Sequence, residues 1–120
     1  MMLREFFLVG VGGAIGSILR YSCSLIIKTN GFPYPTLFVN VAGSFLIGML
    51  FALTEKNPGF LPWKSLAAIG FCGGFTTFSA FSSESLEFLK QEQYFLLTIY
   101  ISLSLTLGIL AVWAGHQLLK

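Results

Sequence analysis

The fold class that the sequence predicts is an all-α membrane protein of four transmembrane helices, with the third helix broken near its middle. Three observations predict it. The composition departs from that of a soluble domain, with 55% of the residues hydrophobic and 10% charged, where about 25% charged is ordinary, and the mean hydropathy is +0.80. The apolar residues gather into four segments, each close to the ~20 residues that cross a bilayer. In the third, the run Gly73-Gly74-Phe75-Thr76-Thr77-Phe78-Ser79-Ala80-Phe81-Ser82-Ser83-Glu84 threads hydroxyls and rings through an otherwise apolar stretch.

The first segment covers residues 6–27, after Arg4 and Glu5. Its length, and the further apolar segments behind it, mark it as a retained span rather than a cleaved signal. Gly12, Gly16 and Arg20 recur every four residues with Gly13 and Ser17 beside them, and small residues allow helices to approach closely in lipid, so this face packs on protein. Gly10 and Gly12 would need a glycine at Ile15 and a flanking strand to make a dinucleotide fingerprint, so no nucleotide site is read here. Arg20 has two readings: a pathway residue, or a cation snorkelling to the interface.

In the second segment, residues 36–53, Asn40, Ser44 and Gly48 recur at the same spacing, with Gly43 adjacent. An amide in hydrocarbon needs a partner, so Asn40 either staples two helices or offers its NH2 to a ligand. The third segment, residues 61–89, is interrupted over 73–83, where Gly73 and Gly74 loosen the backbone. Non-helical backbone at membrane depth survives only against protein or a wet cavity, and in transport proteins such breaks bring carbonyls and helix ends to ions. In the fourth, residues 94–119, Thr98, Ser102 and Thr106 form one stripe and Tyr100, Ser104 and Gly108 another, roughly 160° apart. One lines a pathway and the other packs, its hydroxyls returned to the preceding turn.

The connections are short and punctuated by Asn30-Gly31, Pro33 and Pro35, by Asn57-Pro58-Gly59 and Pro62, and by Lys90-Gln91-Glu92-Gln93, all turn-forming sequences. Trp63, Tyr94 and Trp113 lie near span ends, where interfacial aromatics gather, and Trp113 also suits packing. Cys23 and Cys72 occupy apolar surroundings without a CxxC pair, which fits free thiols rather than a disulfide or metal site. His116 is read as solvated or interfacial.

Lysines and arginines divide almost evenly between the two sides, with Arg4, Lys56, Lys64 and Lys120 on one and Lys28, Lys90 and Arg20 on or toward the other. Orientation follows this bias, so a weak bias permits both insertions and an antiparallel homodimer, which would supply the inverted repeat that many transporters encode in one chain. The alternative is a fixed topology that a few charges misreport. Glu5, Glu55, Glu84, Glu87 and Glu92 are read at or near segment ends, leaving Arg20, Asn40, hydroxyls and phenylalanines inside the membrane. That inventory favours an anion. Phe78 and Phe81, three apart, share a helix face, and the positive edge of a phenyl ring can face an anion; the plainer reading is packing.

Three stretches, Gly12 to Tyr21 (GGAIGSILRY), Thr36 to Phe45 (TLFVNVAGSF) and Gly70 to Glu84 (GFCGGFTTFSAFSSE), resemble the CrcB/Fluc fluoride channel family over the whole chain and in the same order. The resemblance implies a single transmembrane channel domain over residues 1–120 in the bacterial plasma (inner) membrane, forming a dual-topology antiparallel homodimer with two pores that pass fluoride passively. By position it makes Asn40, Phe78, Phe81, Ser79, Tyr100 and Ser104 the fluoride pore and places Arg20 at the pore entrance. It also makes the Gly73 and Thr76 carbonyls the ligands of a structural sodium ion at the dimer interface. The implied partners are fluoride, a second copy and the lipid bilayer, with no nucleic acid and no enzymatic activity. Ala80 stands where the family often has Thr, moving that hydroxyl's role to Ser79, Ser82 or Ser83, while Pro35 replaces a common Gly and Ser17 a usual Ala. Two other classes compete: a dual-topology small multidrug-type transporter, which would want a buried carboxylate in the first span where only Glu5 stands at the edge, and a noncatalytic membrane assembly protein whose polar stripes are helix glue.

Overall fold

Lipid offers the backbone no hydrogen-bond partners, so each apolar segment closes its own ladder as a helix. The computed structural model describes residues 2–60, 63 and 65–120. Helix α1 runs Met2–Ile26 and α2 Tyr34–Lys56, followed by a 3-10 turn at Pro58–Phe60. The third span is composite: a π-helical stretch Ser65–Cys72, a single turn α3 at Gly73–Phe75, and α4 at Phe78–Lys90. Helix α5 covers Tyr94–Leu119. Four spans, Leu3–Ile26, Tyr34–Lys56, Leu66–Lys90 and Tyr94–Leu119, are long and apolar enough to cross a membrane. The expected start of the third segment at Leu61, the Pro62 turn and the Lys64 charge lie outside the described residues.

The break falls inside the expected window, but its cause differs from the expectation. Gly73 and Gly74 remain helical, and the chain becomes extended at Thr76 (φ −87°, ψ 156°) and Thr77 (φ −150°, ψ 118°). Glycine permits a break without imposing one. Here β-branched threonines take the extended conformation, and the Thr77 hydroxyl caps α4 by accepting the Ala80 N–H at 3.2 Å, as N-cap threonines do.

The small-residue stripe of α1 packs on the third span, as expected. A Cβ on Gly12 would strike the Leu66 carbonyl, and one on Gly16 the Phe71 carbonyl and the Phe75 amide, so main chain lies directly on main chain. The α2–α5 contact works in the same way, with Gly48 against the Val112 carbonyl and Gly115 against the Phe45 carbonyl. His116 joins the same helices at their ends through Nε2 and the Glu55 carboxylate at 3.0 Å. Trp113 is 62% exposed, which removes packing within the chain as its role. Cys72 is a buried free thiol, while Cys23, also free, is only half-buried where burial is the expectation for both.

Two of the turns carry a positive φ. Gly31 has φ 82° in the Asn30-Gly31 turn, and Glu92 has φ 57°. Glu92 is the left-handed residue of a Schellman cap: its N–H reaches the Leu89 carbonyl at 3.1 Å and the Gln93 N–H reaches the Phe88 carbonyl at 2.9 Å, a position where glycine is usual.

Two stability outcomes follow. Gly16→Ala should destabilise the fold by about 1–3 kcal/mol, since the contacted atoms are backbone and cannot turn aside. Glu92→Gly should stabilise it by about 0.5–1 kcal/mol, because relief of the left-handed strain outweighs the added unfolded-state freedom. Unfolding by denaturing detergent in mixed micelles measures both.

Candidate functional site

Opening the third helix at Thr76 and Thr77 leaves main-chain groups without their helical partners, since an α-helical N–H bonds the carbonyl four residues earlier. Asn40 on α2 supplies a replacement. Its Oδ1 accepts the Thr77 N–H at 2.7 Å and its Nδ2 donates to the Thr77 carbonyl at 3.2 Å, so one side-chain amide satisfies both polar groups of one residue. Of the two readings of Asn40, the staple between helices is present. Its own carbonyl accepts the Ser44 hydroxyl at 2.7 Å.

Arg20 secures the break from the opposite side. Its Nε–H donates to the Gly74 carbonyl at 3.1 Å, where a cation suits the carbonyl end of a helical turn. The guanidinium therefore engages the third span rather than only snorkelling outward. The Thr77 N–H is held by Asn40 and the Ala80 N–H by Thr77 Oγ1, which removes the regular helical donors of the Gly73 and Thr76 carbonyls. Hard, neutral oxygens of this kind are what sodium binds, so the donor set fits the expected cation.

A cavity of about 540 Å³ opens beside the break, and Asn40, Ser44, Gly73, Thr76, Phe78 and Phe81 are among its lining residues, with Ser104 and Gly108 facing them from α5. No carboxylate lines it among the described residues. The Phe78 and Phe81 ring centroids are 5.8 Å apart, and Phe78 is 78% exposed at the cavity face. Ser79 is exposed on the first turn of α4 and pairs with the Thr77 hydroxyl at 3.1 Å. On α5 the Tyr100, Ser104 and Gly108 stripe is the one turned inward. Thr98, Ser102 and Thr106 are exposed, and Thr98 returns its hydroxyl to the Tyr94 carbonyl at 2.9 Å.

Tyr100 stands behind Phe81, with ring centroids 5.1 Å apart, and is fully buried. Its hydroxyl donates to Glu84 Oε1 and the Thr36 hydroxyl donates to Oε2, each at 2.8 Å. Glu84, in the C-terminal half of the third span, is half-buried in α4 and joins three helices. The spacing of Phe81, Glu84 and Phe88 on one helix face carried a signal for this placement. Phe32 from the first connection also closes on Tyr100, edge to face at 5.5 Å, a contact that no local pattern announces. Glu84 borders a second groove of about 600 Å³ lined also by Asn30, Gly31, Glu87 and Gln91. The Phe81, Tyr100 and Glu84 cluster thus connects the two hollows.

The site residues named from the sequence therefore fall into three groups. Asn40, Gly73, Thr76, Phe78, Phe81 and Ser104 share the cavity; Tyr100 and Ser79 lie next to its walls; Arg20 reaches the break from α1. Thr77, Ser44, Thr36 and Glu84 are polar residues that the site as read from the sequence did not include.

Comparison with known proteins gives this arrangement a family. The model of the "CrcB-like protein, Camphor Resistance (CrcB)" family matches residues 7–116. A protein of Flavobacterium psychrophilum is 42% identical, with 98% of each chain covered. One of Leptospira interrogans serogroup Icterohaemorrhagiae serovar copenhageni is 45% identical over 98% of this chain and 95% of its own, and one of Shewanella amazonensis 43% over 98% and 97%. All three are called "Fluoride-specific ion channel FluC", the name of a channel and not of an enzyme. A match of this extent, across all four spans and the break between them, means that the chain belongs to the CrcB family.

Proposed function

We propose that this protein is a fluoride channel of the bacterial inner membrane, through which cytoplasmic fluoride leaves passively down its electrochemical gradient. The observation that carries the reading is the cavity at the helix break, which gathers Asn40, Phe78, Phe81 and Ser104 without a carboxylate, in a chain whose full-length relatives are named as fluoride channels. Hydrogen fluoride is a weak acid that enters cells uncharged and dissociates inside, so the trapped anion needs only a path outward. Fluoride must exchange tightly held water for weaker donors: the remaining Asn40 N–H, the hydroxyls of Ser104 and Ser79, and the edges of Phe78 and Phe81, with Tyr100, whose proton goes to Glu84, backing the Phe81 ring. Several weak contacts allow both arrival and departure. Arg20 adds positive potential near the pore entrance. A proton-coupled cation exporter is disfavoured, because Glu5 is exposed at the start of α1 and cation export would want a buried carboxylate there.

The working unit in this reading is an antiparallel homodimer with two pores. Support comes from the weak charge bias, and from the exposed Gly73 and Phe78 beside the cavity, which leave that face open to a second copy. Sodium held by Gly73 and Thr76 carbonyls of both copies would neutralise oxygens brought together there and make the site electropositive for an anion.

Purified protein in liposomes should release fluoride under a gradient, and the absence of flux would overturn the proposal. Phe78→Ile and Phe81→Ile retain apolar bulk but lose the ring quadrupole, so each should reduce efflux by roughly tenfold or more with insertion unchanged; unchanged efflux in both would make the rings packing residues. Lys56→Cys should be labelled from both sides of the membrane, and labelling from one side alone would eliminate dual topology.

A further inference from the structure

Asn40 invites a role as an ion ligand, yet both ends of its amide are already engaged. Oδ1 holds the Thr77 N–H at 2.7 Å and Nδ2 holds the Thr77 carbonyl at 3.2 Å. In an uninterrupted helix that same N–H would close on the Gly73 carbonyl, four residues back. Gly73 lines the cavity, and a Cβ built there would meet nothing within 4 Å. We infer that Asn40 is a positioning residue that holds the third span open: by taking the Thr77 N–H in place of the Gly73 carbonyl, it releases that carbonyl to the cavity as a cation ligand.

The chemistry of the amide suits this task. A hydroxyl at position 40 could offer an acceptor and a donor, but only from one atom. A carboxylate offers acceptors alone. The amide matches the peptide group donor to acceptor and acceptor to donor, and so replaces what the helix loses without introducing charge. Its partner is fixed by the rest of the break: Thr77 is extended, its hydroxyl caps α4 through the Ala80 N–H, and the Gly74 carbonyl is held by Arg20. Of the carbonyls stripped of helical donors, Gly74 is occupied by Arg20. Gly73 depends on Asn40 for its freedom. The same clamp sets the direction of the first turn of α4, which carries Phe78 to the cavity.

The ion pathway and sodium site belong to the proposed function, so the test includes a readout that needs neither. Total synthesis allows an isotopic label on the Gly73 carbonyl alone, whose infrared frequency reports hydrogen bonding in lipid. In sodium-free buffer the wild-type carbonyl should absorb at the higher frequency of a free group. Asn40→Asp retains the acceptor for the Thr77 N–H and should leave the band high, whereas Asn40→Ala should lower it to the helical position as Thr77 closes on Gly73. Adding sodium should lower the wild-type band and leave that of Asn40→Ala unmoved. Fluoride efflux by Asn40→Ala should fall by about tenfold, the effect of losing a hydrogen bond of ordinary strength.

A helical frequency for Gly73 in the wild-type protein overturns the inference, and this result stands even if Asn40→Ala fails to fold. A band that stays high in a folded Asn40→Ala overturns it too. If the infrared results hold and the wild-type protein passes no fluoride, the clamp stands and the proposed function fails.

Discussion

Breaking a helix inside a bilayer exposes peptide groups that lipid cannot hydrogen-bond, and each orphaned group there costs several kcal/mol. The third span accepts such a break, and the surrounding architecture meets its consequences. Asn40 satisfies the Thr77 peptide groups from α2, Arg20 reaches the Gly74 carbonyl from α1, and the Thr77 hydroxyl caps the new helix start. Three segments distant in sequence thus converge on a few residues. Removing any of these partners would leave the break to reclose or to sit unsatisfied.

The close packing of α1 on the third span serves the same constraint. The Nε–H of Arg20 reaches the Gly74 carbonyl because Gly16 and Gly12, about one and two turns earlier, bring the two backbones into direct contact. The π-helical stretch Ser65–Cys72 lies on this glycine face. Such wide turns often mark functional sites, and here it leads directly into the broken segment. Rigid packing on one side of the break and an open cavity on the other give the site its asymmetry: anchored main chain behind, exposed rings and carbonyls in front.

Glu84 illustrates how an acidic side chain is held among apolar helices. Two hydroxyl donors, from Thr36 and Tyr100, serve its two oxygens, and the surrounding Phe32, Phe81 and Phe88 rings close on Tyr100. The carboxylate in turn orients the phenol that backs the Phe81 wall of the cavity. A polar network of this sort is worth more when complete than its separate bonds suggest, because each member fixes the geometry of the next.

The sequence by itself determined the four spans, the presence of a break between residues 73 and 83, the glycine faces that pack, and the anion-leaning inventory of Asn40, Arg20 and the phenylalanines. Those features follow from hydropathy and periodicity, which act over a few turns and read directly from the chain. Only the tertiary structure decided that the extended residues are Thr76 and Thr77 rather than the glycines, that Asn40 grips the Thr77 peptide, and that Glu84 is a half-buried junction of three helices. Each of these depends on a partner between 16 and 54 residues away. Helix propensity cannot choose the point of rupture in a glycine-threonine run, because the preferred point is wherever a neighbouring helix presents the amide, guanidinium or hydroxyl that satisfies what the rupture exposes.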